Sequence, residues 1–112
     1  MKKTIYIAGK VTGLPQDEVI AKFALVQKEI EALGFEVINP TQVVGDWQTP
    51  WDKAMRMCIA KLTQCDAIVL IPDWISSKGA KIEYEIAKQL EIPDFRFSNF
   101  GLQDLKVHKW NN

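Results

Sequence analysis

Residues 65–90 read CDAIVLIPDWISSKGAKIEYEIAKQL, and this stretch decides the fold. The apolar run 67–71 has the composition of a short buried strand, which Pro72 ends. A polar loop, residues 73–78, leads into a helix over residues 78–90 that carries Gly79 and Glu83 in its first turns. A strand, a loop and a carboxylate just inside a helix are how an open α/β sheet builds a ligand site at its carboxyl edge.

Outward from there, strands and helices alternate. Residues 4–8 (TIYIA) have strand composition, and Gly9 ends them. Residues 17–33 follow a helical period, with Ile20, Phe23, Ala24, Gln27, Ile30 and Leu33 on one face and Gln27 alone polar among them. Residues 35–38 form a short strand stopped by Asn39-Pro40, and residues 41–49 read as irregular. Thr49-Pro50 predicts a helix start, a hydroxyl cap with proline in the first helical position. The apolar stripe Trp51, Ala54, Met55, Cys58, Ile59 and Leu62 continues it. Ile92-Pro93 breaks the third helix, residues 94–97 predict a last strand, and the tail 98–112 shows no clear period.

This alternation predicts a single-domain α/β protein over residues 1–112. The expected form is a Rossmann-like or flavodoxin-like three-layer α/β/α fold with a parallel sheet in the order 2-1-3-4. The loops 9–15 and 72–78 then open onto one crevice at the switch point, with Asn39 and Pro40 at its side.

Composition sets the bounds. The 112 residues suffice for one core, and 14 basic against 14 acidic residues give zero net charge. That balance leaves no electrostatic footprint for duplex nucleic acid or an anionic membrane. No run approaches the roughly 18 apolar residues of a membrane span, and the start MKKTIYIAG is short for a signal peptide. Cys58 and Cys65 lack the spacing of a metal pair; on one helix they lie roughly 10 Å apart, beyond disulfide reach. No metal site is expected, and a reduced, cytoplasmic setting fits.

Glu83 is the sharpest candidate for chemistry. Residues 79, 83, 87 and 90 share a helix face beside the stripe Ile82, Ile86 and Leu90, which puts Glu83 at the border of the buried face. Glu85, about 200° further round, faces solvent. The helix N-terminus favours an ionised Glu83, suited to a nucleophile or an anchor for hydroxyls; an early-helix glutamate also complements the dipole with no chemistry at all. Trp47, Trp51 and Trp74 fall in or beside the crest loops, to stack a base or to pack as a lid, with Trp74 the stronger stacking candidate. Asp73 is placed to bind ribose hydroxyls or to cap its loop, and the lone His108 reads as a surface residue.

The segment IYIAGKVTG (5–13) and the block WxxSKGAxxE (74–83) together resemble the nucleoside 2-deoxyribosyltransferase superfamily, in particular its small bacterial and phage DUF4406 branch. The likeness covers residues 4–92. In that family a glutamate four residues after a glycine and four before an alanine attacks the anomeric carbon of a 2-deoxynucleoside. Gly79, Glu83 and Ala87 match that spacing. The resemblance further implies that Tyr6 orients the carboxylate and that Gly9 and Gly13 let the substrate approach the first loop. Ser77 stands where a serine accompanies nucleoside 5′-monophosphates, with Lys78 and Gly79 beside it for phosphate; an ordinary helix cap is the plain alternative for Ser77. No cofactor is implied, and a homo-oligomer, dimer or higher, is expected because relatives complete each site from a neighbour.

One position departs from the family. The general acid, an aspartate eight residues before the strand-opening Asp66, is replaced by Cys58. A thiol is mostly protonated at neutral pH and in principle donates, but Cys58 equally suits a small buried core position. The expected function is N-glycosidic chemistry on a deoxynucleoside or its 5′-monophosphate, by transfer or hydrolysis. The alternatives are a non-catalytic module binding a nucleotide or nucleotide-derived signal and, more weakly, a purely structural oligomer.

Overall fold

The computed structural model describes residues 2–110. Strands β1 (Thr4–Ala8), β2 (Glu36–Ile38), β3 (Ala67–Leu70) and β4 (Asp94–Arg96) form one parallel sheet in the order β2-β1-β3-β4, as the alternation predicts. The helices are α1 (Gln16–Glu31), α2 (Pro40–Val44), α3 (Trp51–Leu62), α4 (Lys78–Gln89) and α5 (Asn99–Val107). A 3-10 turn over Pro72–Ser76 joins β3 to α4.

Side chains alternate across the two central strands and build a core on each face. Ile5, Ile7, Ala67 and Val69 pack under Val19, Phe23, Val26 and Ile30 of α1 and Leu105 of α5. Tyr6, Ala8, Ile68 and Leu70 pack on the other face with Cys58 and Leu62 of α3 and Ala80 and Ala87 of α4. The register sets Tyr6 beside Ile68 and Ala8 beside Leu70, so both central strands end at one level and their loops leave at the same edge.

Four local readings are corrected. In α1 the buried residues are Val19, Phe23, Val26 and Ile30, while Ile20 is 45% exposed. Two apolar stripes overlap on this helix, and the one carrying Val19 and Val26 is the one packed with Ile5, Ile7, Ala67 and Val69 of the sheet. Residues 40–44 are helical rather than irregular: the Asn39 side chain accepts the Thr41 N–H and proline fills the first position, the same signal read ten residues later at Thr49-Pro50. Thr49 itself caps nothing, since α3 starts after Pro50 without a side-chain cap.

The tail is the fourth. It forms α5, capped by Ser98, whose Oγ accepts the Gly101 N–H at 3.0 Å. A Cβ at Gly101 would lie 1.8 Å from the Arg96 carbonyl oxygen, so only glycine lets α5 turn back this tightly over β4. His108 is half-buried, its ring 5.3 Å from Phe95 and 4.5 Å from Trp110, and so is not a free surface residue. The last two residues of the tail, 111 and 112, lie outside the described residues. Among the described residues no helix is long and apolar enough to cross a membrane.

Candidate active site

Glu83 lies in the second turn of α4 and is 5% exposed, in the middle of a buried face formed with Gly79, Ala80 and Ala87. It does not sit at the border of that face: Ile82 and Ile86 are only half-buried and Leu90 is 54% exposed. Small residues flank it: Ala80 and Ala87 pack in the core against the sheet, and Gly79 faces α3. A Cβ on Gly79 would come within 2.9 Å of the Met55 sulfur.

Beneath the carboxylate, the Tyr6 hydroxyl donates to Glu83 Oε2 at 2.5 Å. Tyr6 is wholly buried, fixed in the central strand, and its hydroxyl also meets the Cys58 thiol. Burial pushes the Glu83 carboxyl up to about 7, with the Tyr6 hydrogen bond pulling the other way. The helix dipole therefore does not hold Glu83 in the ordinary carboxylate range; near pH 7 the carboxyl stands between its protonated and ionised forms. The dipole acts within the first turn, whereas Glu83 is in the second and has lost its water. Burial likewise raises the Cys58 thiol to about 11, so it is protonated at neutral pH. Tyr6 lies well above its ordinary value, through burial and the neighbouring carboxylate.

Glu83 forms part of the wall of a cleft of about 340 Å³, within the range usual for small-molecule sites. Gly9, Val11, Thr12, Gly13 and Leu14 of the first loop form one side. Pro40, Thr41 and Val44 of α2, with Asp46, Trp47 and Thr49 after it, form another. Trp51, Ala54, Met55 and Cys58 of α3 and Ser77, Gly79 and Ala80 at the start of α4 complete it. None of the lining residues is Lys, Arg or His.

Nine of the sequence-selected residues thus line one cleft: Gly9, Gly13, Pro40, Trp47, Trp51, Cys58, Ser77, Gly79 and Glu83, with Tyr6 bonded to the last. Ser77 is also the helix cap, its Oγ accepting the Ala80 N–H at 3.1 Å. Lys78 is exposed beside the cleft, its ammonium 4.7 Å from the centre of the Trp51 ring.

Three others have placements outside the lining. Asn39 is buried and committed: it accepts from Thr41 N and Oγ1 and donates to Gln27 Oε1 at 3.0 Å, which also explains the polar Gln27 on α1. Asp73 accepts the Lys10 N–H at 3.0 Å and pairs with Lys22 at 2.5 Å, tying the first loop to the 3-10 turn. Trp74 packs against Tyr84, ring centres 4.9 Å apart and planes tilted by 51°, with the Arg96 guanidinium over both rings. The indoles that do line the cleft are Trp47 and Trp51. Of α2, the sequence points to Pro40 but not to Thr41 and Val44, because Asn39-Pro40 reads as a strand stop as readily as a helix start.

Fold and site together define a Rossmann-like α/β domain with a buried carboxylate in a cleft at the carboxyl edge of its sheet. The chain belongs to the family described as a domain of unknown function, DUF4406, which it matches over residues 3–93. That match stops just before β4 and leaves α5 outside it. No curated protein matches the chain.

Proposed function

We propose that this protein acts on the N-glycosidic bond of a deoxynucleoside or its 5′-monophosphate, with Glu83 as nucleophile. The observation that supports this best is the buried Tyr6–Glu83 pair in the wall of the cleft. A carboxylate costs stability when buried, and one that is oriented by a hydroxyl and opens onto a small-molecule cleft has the placement of a reacting group. Tyr6 is a positioning residue. The N–H groups at the start of α4, by Ser77 and Gly79, suit a phosphate, and Trp47 or Trp51 suits a stacked base. Transfer to a second base and hydrolysis by water share the same glycosyl-enzyme intermediate.

The pH profile tests this. Glu83 attacks only when ionised, so kcat/KM for base release rises about tenfold per pH unit below about 7 and flattens above it. Tyr6→Phe removes the hydrogen bond that lowers the Glu83 value and moves the limb to higher pH. An unshifted limb in Tyr6→Phe, or a profile flat from pH 5 to 8, counts against Glu83 as nucleophile.

A second reading, binding without turnover, draws on Cys58. Its thiol holds the place of the family's acid and is too weak an acid to protonate a departing base readily. Calorimetric binding of deoxynucleotides with no base release supports that reading. Self-association also belongs to the proposal: α5 leaves Phe100 85% exposed and Val107 61% exposed on its outer side. Sedimentation at high micromolar concentration is expected to show a dimer or larger, and a strict monomer removes this part. Both cysteines are free and buried, which is consistent with a reducing, cytoplasmic setting.

A further inference from the structure

We infer that the substrates this cleft turns over best are nucleosides whose base carries a formal positive charge, such as an N7-alkylated purine or an N-glycosyl pyridinium. The inference rests on the glycosidic reading above and names the class of base. Two independent features of the site carry it: the charge of its walls, and what stands beside the nucleophile.

The first feature is that the two ionisable carboxyl groups in the lining are Glu83 and Asp46, with no cationic side chain among the lining residues. Asp46 is exposed at the rim; Oδ1 accepts the Gln48 N–H at 2.9 Å, and Oδ2 has no partner among the described residues. The indoles of Trp47 and Trp51 line the same cleft. An indole face attracts a cation within about 6 Å of its centre. Lys78 already shows this preference, its ammonium 4.7 Å from the Trp51 ring. Lys78 is exposed, so a flat cationic ring entering the cleft competes with it for the Trp51 face. Indoles and carboxylates together favour a positively charged aromatic ring over a neutral one.

The second feature is the group beside Glu83. Glu83 is met by the phenol of Tyr6, and the Tyr6 hydroxyl by the thiol of Cys58; neither group readily gives up a proton near neutral pH. A neutral base leaves as an anion unless it is protonated, and lacking that help costs about 10² to 10⁴ in rate. A cationic base has no such need. Glu83 attacks the anomeric carbon, the C–N bond breaks, and its electron pair neutralises the ring nitrogen. The base leaves neutral. Water then attacks the glycosyl ester, the C–O electron pair returns to Glu83, and the water's proton passes to solvent. The balance is one cationic nucleoside and one water giving sugar, neutral base and a proton.

The experiment compares 7-methyl-2′-deoxyguanosine with 2′-deoxyguanosine, which differ in charge and one methyl group. Glu83→Gln supplies the blank for spontaneous loss of the methylated base. The expected result is release of 7-methylguanine with kcat/KM at least about 100-fold above that for guanine, with Asp46→Asn lowering the value for the cationic substrate by a larger factor than that for the neutral one. Equal rates on the two nucleosides overturn the inference and leave the glycosidic reading standing. Release from neither, above the Glu83→Gln blank, overturns both. An Asp46→Asn effect of equal size on both substrates removes Asp46 from the recognition of charge.

Discussion

Glu83→Gln is expected to end base release, lowering turnover on the order of 10³-fold or more, and also to make the protein more stable at alkaline pH. The first effect follows from the loss of the carboxylate that attacks the anomeric carbon. The second follows from linkage. The Glu83 carboxyl has an ordinary value of 4.5 and is raised to about 7 by burial in the folded chain. Between these values the folded state binds more protons than the unfolded state, so wild-type stability falls as pH rises through that window. The slope is about 1.4 kcal/mol per pH unit, and the loss approaches about 3 kcal/mol above pH 7. Glutamine keeps the shape and an oxygen to accept the Tyr6 hydroxyl, and it never ionises. Urea unfolding at pH 4.5 and pH 8 measures this. The variant is expected near wild type at the lower pH and ahead of it at the higher one. A glutamate kept only for structure would not show a glutamine that is both more stable and inactive. Retention of wild-type turnover by Glu83→Gln removes the nucleophile assignment.

This trade between stability and chemistry marks where the sequence was readable. The central strands were legible because Ile5 to Ala8 and Ala67 to Leu70 are apolar at every position but Tyr6, as a strand covered on both faces demands. The sheet order followed from alternation. Glu83 and Tyr6 came from a spacing and a resemblance, since nothing in a one-dimensional pattern distinguishes a buried glutamate from one at the edge of a helix face. Its depth goes with Ala80 and Ala87, which pack in the core against the sheet, and with Gly79, whose missing Cβ lets α4 close on Met55 of α3. Trp74 was misleading for a related reason. It follows a strand at the crest, but Tyr84 and Arg96, which claim its ring, come from α4 and β4 and meet only in three dimensions. Asn39 and Asp73 were correctly found at the crest. Their polar atoms, however, are taken up by Thr41 and Gln27 and by Lys10 and Lys22, so they shape the cleft rather than line it. The aperiodic tail could not be placed because α5 is held by one buried leucine and a close approach at Gly101 instead of a long apolar stripe.

Cys58→Asp is expected to raise base release from neutral deoxynucleosides by about 10² to 10⁴, the range of general acid help. Cys58 is 5% exposed on α3, and its thiol meets the Tyr6 hydroxyl that holds Glu83. An aspartate there would share this buried space with Glu83. Desolvation and the neighbouring carboxylate would both hold its pKa up, and the two groups would titrate as a coupled pair. At neutral pH such a pair retains a proton that the departing base can take. The same burial makes the variant less stable than wild type, so its fold is checked by circular dichroism. Cys58→Asn, with similar bulk and no acidity, separates the effect of size from that of the proton. The acceleration is expected in the aspartate variant and absent in the asparagine one, and to be much smaller on 7-methyl-2′-deoxyguanosine, whose base leaves without protonation. Should Cys58→Asp fold, bind deoxynucleotide and still release no base, protonation was never the missing step. A cleft holding its ligand without turnover then becomes the better account of Glu83.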